Sequence, residues 1–151
     1  MSRHLASIRW NRTGPDFLER RYSREHAWYF DGGAVIPASS SPSVVPAPWS
    51  NAAAVDPEEA FVASVSSCHM LWFLHLAVDG GHILDSYQDN AEGFMTKNED
   101  GVPWISRIVL RPQIQWSGEN RPSDQAVQNL HHEAHRRCFI AASIRTEVVV
   151  D

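Results

Sequence analysis

Cysteine is scarce in this chain: Cys68 and Cys138 are the only two among 151 residues. Two thiols are too few for the disulfide framework of a secreted scaffold. The N-terminus, MSRHLASIRWNR, also lacks the apolar segment and cleavage pattern of an export signal. A reducing cytoplasm is the expected compartment. Lysine is scarcer still, since Lys97 is the only one beside twelve arginines, and the formal net charge is −5. Without a basic stripe, nucleic acid is a poor partner. No uninterrupted apolar window long enough for a membrane span is expected, because Glu58, Glu59, His69, His75, Asp79 and several serines break up the most apolar stretch. What remains, 43% hydrophobic and 21% charged, is ordinary globular composition. The length suits a single domain over residues 1–151 with a core of useful size.

That apolar stretch, DPEEAFVASVSSCHMLWFLHLAVDGG, has a marked beginning and end. Asp56 can accept from first-turn N–H groups, Pro57 suits the first helical position, and Glu59 can reach back as in a capping box. Gly80 and Gly81 permit the left-handed backbone that closes a helix. The spacing predicts a helix of roughly 33 Å, apolar on more than one face and therefore central. Phe61, Val65, Cys68 and Trp72 fall on one stripe, which places the Cys68 thiol among apolar neighbours.

Around this helix the sequence reads as extended segments. HLASIRWNR (residues 4–12) and HAWYF suggest two strands, the latter ending at Gly32-Gly33. From Ile36 to Asn51, four prolines and a serine cluster predict a loop. ILDSYQDNAEGFMTKN and PWISRIVLRPQIQW flank Asp100-Gly101 and predict a long antiparallel hairpin, with an edge position or bulge at Pro112. Ser123 is the expected N-cap of a second helix carrying Val127, Leu130, Ala134 and Cys138 near one face. IRTEVVV closes the chain as a strand. The order β-β-α-β-β-α-β, with hairpins in place of alternating βαβ units, indicates an α+β domain with antiparallel sheet.

A buried cysteine often serves simply as a small hydrophobe. Both cysteines here keep polar company: Ser66, Ser67 and His69 around one, and His135, Arg136 and Arg137 before the other. A thiolate in an apolar stripe would need a nearby cation.

The Asp56-Pro57-Glu58-Glu59 start, the Ser/Ala-rich helix running into Ser67-Cys68, and the second cysteine before a final strand resemble the OsmC/Ohr family, the osmotically inducible and organic hydroperoxide resistance proteins. The resemblance spans the whole chain. It implies antiparallel sheets packed around a long central helix in an intertwined homodimer, with active sites at the interface. It further implies a cysteine-based peroxidase that reduces organic hydroperoxides without metal or haem. Cys68 would be the peroxidatic thiol and Cys138 the resolving one, and the disulfide would be reduced by a dithiol such as dihydrolipoamide or a lipoylated protein. Phe61, Val65 and Trp72 would form a substrate wall suited to an alkyl or fatty-acid hydroperoxide. Glu58 matches a glutamate that orients an arginine against the thiol, and Arg24 is preferred over Arg20 and Arg21 for that arginine. Ten residues of straight helix put Glu58 roughly 15 Å from Cys68, so Glu58 serves its own thiol only if the helix bends, and otherwise serves the partner subunit. As a helix N-terminal carboxylate, Glu58 also has a purely structural reading.

Two other readings stay open. His131, His135 and Cys138 could share a helix face and bind zinc. Alternatively, the fold could be kept for ligand binding or redox sensing, with Cys68 responding to oxidant without turnover. His69 should point about 100° away from Cys68 and face another partner.

Overall fold

The computed structural model describes residues 2–151. The described chain forms two compact units, one ending at Ala60 and the other running from Phe61 to Asp151. In the first, β1 (Ala6–Arg9), β2 (His26–Phe30) and β3 (Val35–Ala38) make an antiparallel meander in that order. Gly33, at φ +88°, turns the chain between β2 and β3. β1 is shorter than the segment 4–12, and β3 is a third strand where the sequence predicted none, lying mostly in the stretch expected to be loop. Its Pro37 is tolerated because β3 is an edge strand of this sheet.

Helix α1 (Pro57–Asp79) begins and ends as its sequence indicates. The Glu59 N–H donates to Asp56 Oδ1 at 2.7 Å, and the Asp56 N–H donates to Glu59 Oε2 at 3.2 Å, which closes the capping box. At the other end Gly81, at φ +70°, sends its N–H to Val78 O while His82 N–H reaches Ala77 O, a Schellman arrangement. One expectation is corrected: α1 is long and apolar enough to cross a membrane by length and composition. Histidine and serine interrupt the apolar run without carrying the fixed charge that would exclude it. The same criteria are met by central helices of folded domains.

In the second unit the predicted hairpin is present, with each arm broken in two. β4 (Ile83–Asp89) pairs antiparallel with β7 (Pro112–Ser117), and β5 (Glu92–Lys97) pairs antiparallel with β6 (Pro103–Leu110). The break in the second arm falls at Arg111, just before Pro112, where a missing N–H costs no ladder bond. Asp89 holds the junction by accepting from the Arg111 N–H at 2.6 Å. The last strand, β8 (Glu147–Val150), pairs parallel to β6, so the sheet is mixed at that edge. Helix α2 (Asp124–Arg137) is capped by Ser123, whose Oγ accepts from the Ala126 N–H.

The core forms where α1 meets these strands. Val65, Ile108 and Leu110 are fully buried, with Phe61, Val62, Ile105, Ile140 and Val148 packed against them. Gly93 on β5 allows the closest approach, because a Cβ there would lie 2.6 Å from Val62 Cγ2. Gly93→Ala is therefore expected to lower the unfolding free energy by about 1–3 kcal/mol through overpacking, as read by urea denaturation.

Candidate active site

Cys68 is half-buried on α1 and lines a groove of about 480 Å³ in the second unit. The helix supplies Ser64, Ser67, Cys68, Leu71, Trp72 and His75 to its lining, at the three- and four-residue intervals of a single face. Phe139 and Ile140 complete it from the segment after α2. Ser64 Oγ donates to Phe61 O and Ser67 Oγ to Ser64 O, so both hydroxyl protons are committed to the backbone. Among the described residues no arginine or lysine is part of this lining, although the Arg137 guanidinium carbon lies 5.7 Å from the ring centroid of Trp72.

Cys138 occupies the C-cap of α2 in an extended conformation, φ −66° and ψ 113°, which turns the chain away from the helix. It is buried, and its Sγ accepts from the Ala141 N–H at 3.3 Å. Its pKa is pushed up to about 11, first by burial and second by the Cys68 thiol beside it, against a lowering contribution from the Ala141 N–H. The two thiols, seventy positions apart in sequence, are therefore neighbours, and both are free. At neutral pH Cys138 holds its proton.

The expected substrate wall divides. Trp72 lines the groove, while Val65 is fully buried against Ile108 and Leu110, and Phe61 packs on the same cluster. Leu71, His75 and Phe139 take the exposed positions, and half-buried Ile140 joins the groove to the core. The helical interval from Cys68 would have found Leu71 and His75. Nothing local in the sequence pointed to Phe139 or Ile140, which reach the groove through the turn at Cys138.

His69 faces away from Cys68, as its helical angle requires. Its Nε2 lies 3.0 Å from His131 Nδ1, and the rings stack at 5.3 Å with an interplanar angle of 10°. Both pKa values are lowered to about 4: His69 by burial and then by His131 and His135, and His131 by burial, with Asp89 opposing. This pairing corrects the zinc reading. His131 is committed to His69, and Cys138 leaves the helical face. Among the described residues no group of three or more His, Cys, Asp or Glu is placed to hold a metal ion.

In the first unit, Arg24 is held by its own segment. Its Nη1 donates to Arg20 O at 3.0 Å and Tyr22 O at 2.5 Å, and the guanidinium lies 3.7 Å from the Tyr22 ring centroid. Arg24 lines a cavity of about 430 Å³ with Trp10, Phe17, Tyr22 and His26. Arg21 pairs with Glu19, and Arg20 adopts a left-handed backbone at φ +61°. Glu58 is half-buried in the first turn of α1, where the helix dipole favours its charge.

A family model described as OsmC-like protein matches residues 50–151. An OsmC-like protein of unknown function from Vibrio cholerae is 50% identical, with a TM-score of 0.97 over 100% of this chain and 99% of its own. An organic hydroperoxide resistance protein from Legionella pneumophila is 14% identical, with a TM-score of 0.71 over 100% of this chain and 98% of its own. The organic hydroperoxide resistance protein OhrB of Bacillus subtilis is 18% identical, with a TM-score of 0.66 over 99% and 97% respectively. At such identities these last two share the fold. Among curated proteins no match was found.

Proposed function

The chain belongs to the OsmC-like family, and from that premise we propose that it is a thiol-dependent peroxidase reducing organic hydroperoxides in peroxide-stress defence. The observation that carries this reading is the pairing of a groove-lining Cys68 with a buried, protonated Cys138 beside it. The Cys68 thiolate attacks the terminal oxygen of the hydroperoxide. The O–O bond breaks, the alkoxide takes up a proton and leaves as alcohol, and Cys68 becomes a sulfenic acid. Cys138 then bonds to the Cys68 sulfur, and its proton leaves with the sulfenic hydroxyl as water. The two electrons have come from the two thiols, and a dithiol such as dihydrolipoamide or a lipoylated protein returns them by exchange. The apolar groove favours an alkyl-bearing peroxide.

We assign the stabilising cation to Arg24 and its orientation to Glu58 on the family resemblance alone. A homodimer is part of the same reading. It is supported by apolar surface that the chain leaves uncovered: Leu71 is 62% exposed, Val78 72% and Phe139 70%. That no arginine or lysine among the described residues joins Cys68 in the groove lining favours a second reading, a redox sensor that is oxidised without turning over.

The deciding experiment is the intact mass of reduced protein before and after one equivalent of cumene hydroperoxide. A loss of two hydrogens mapped to Cys68 and Cys138 is expected, followed by turnover with dihydrolipoamide. No mass change would overturn the proposal, and oxidation without turnover would favour the sensor. In Cys138→Ser the same treatment should add one oxygen at Cys68 and stop there, because no thiol remains to displace it.

A further inference from the structure

The groove is chemically uneven along its length. Ser64 and Ser67 present no free hydroxyl proton, because both donate to backbone carbonyls. The N–H groups of the lining side chains belong to Trp72 and His75, at the opposite end. The Trp72 ring meets His75 edge-on at 5.6 Å, and the Arg137 guanidinium carbon lies 5.7 Å from the Trp72 centroid. Two acidic groups share this end: Asp79 lies 3.6 Å from His75, and Glu133 lies 3.8 Å from Arg137 and 3.4 Å from Arg136. All these side chains are at least one-third exposed, so the pairs are loose and open to exchange with a ligand.

Resting on the peroxidase reading, we propose that His75 and Arg137 are specificity determinants. They receive the carboxylate of an amphipathic hydroperoxide whose alkyl body lies along Leu71 and Trp72 and whose peroxide reaches Cys68. The spacing fixes the class of substrate further. Cys68 and His75 are seven residues apart and so lie on nearly the same helix face, about 10 Å apart along the axis, the length of roughly eight bonds of extended alkyl chain. A fatty acid bearing its hydroperoxyl group near the ninth carbon matches that span. One oxidised at a far more distal carbon overshoots it.

The test compares three substrates at pH 7: the 9-hydroperoxide of an unsaturated C18 fatty acid, its methyl ester, and cumene hydroperoxide. In the native protein the free acid should exceed the ester in kcat/KM by roughly tenfold, the factor a hydrogen bond to a charged group supplies, mainly through KM. His75→Phe keeps a ring against Trp72 but removes the N–H, and Arg137→Met keeps the stem but removes the charge. Each should collapse the acid-to-ester ratio toward one, which a general loss of structure would not do. Equal use of acid and ester by the native protein, or a ratio unchanged in both variants, would overturn the assignment. If none of the three peroxides turns over, the peroxidase reading fails separately. Calorimetric binding of decanoate against decanol to the reduced protein then decides: tighter decanoate binding that His75→Phe abolishes supports the carboxylate site, and equal binding overturns it.

Discussion

Replacing Cys68 with serine is expected to reduce hydroperoxide turnover by about three orders of magnitude or more, with the fold unchanged. The substitution is nearly isosteric, and residue 68 is half-buried at the groove, outside the packed cluster of Val65, Ile108 and Leu110. Stability should therefore hardly move. The chemistry is lost because a serine hydroxyl does not ionise near neutral pH and is a weak nucleophile without a dedicated base. Cumene hydroperoxide consumption with excess dithiol, followed beside circular dichroism, separates the two effects. A folded Cys68→Ser protein that kept a tenth of the native rate would remove Cys68 from the reaction. Loss of Cys138 should act differently, permitting the first oxidation and blocking closure, so the two variants together assign the order of events.

The second large effect is on stability. His69 and His131 are stacked and neutral, each with its pKa lowered to about 4 by burial. In the unfolded chain both return to about 6.5. As pH falls from about 6.5 toward 4, the unfolded state takes up protons that the native state refuses, and stability falls with it. Their contribution is fully present above pH 6.5 and lost progressively down to about pH 4, below which no further loss arises from this pair. The slope is at most about 1.4 kcal/mol per pH unit per histidine, so the pair amounts to a few kcal/mol, a large part of a small domain's stability. Urea midpoints at pH 7 and pH 4.5 measure this loss directly. The His69→Leu, His131→Phe double variant should lose most of the difference between them. An unchanged pH dependence in that variant would show that other groups govern acid unfolding.

Several features were legible because their physics is local. The Asp56–Glu59 capping box, the Gly80-Gly81 stop, the Ser123 N-cap and the hairpin turn near Asp100-Gly101 each depend on a few adjacent residues, and each was found where the sequence placed it. The third strand, β3, was not read at all, because Pro37 signals a loop unless the strand lies at a sheet edge. The parallel pairing of β8 with β6 was missed because strand direction depends on the route of the chain, which β-propensity does not encode.

By itself the sequence determined both helices, their caps and the α+β class, and the resemblance carried by Asp56-Pro57-Glu58-Glu59 and the two cysteines indicated the family. Only the tertiary structure decided which apolar residues line the groove. Phe61, Val65 and Trp72 share one helical stripe, yet the first two are covered by Ile108 and Leu110 or their neighbours while Trp72 is left beside Phe139. It also decided that Cys138 meets Cys68 and that His69 meets His131. Helical period fixes the direction in which a side chain leaves its axis. What it meets there depends on packing against segments many residues away, and that information is distributed over the whole chain.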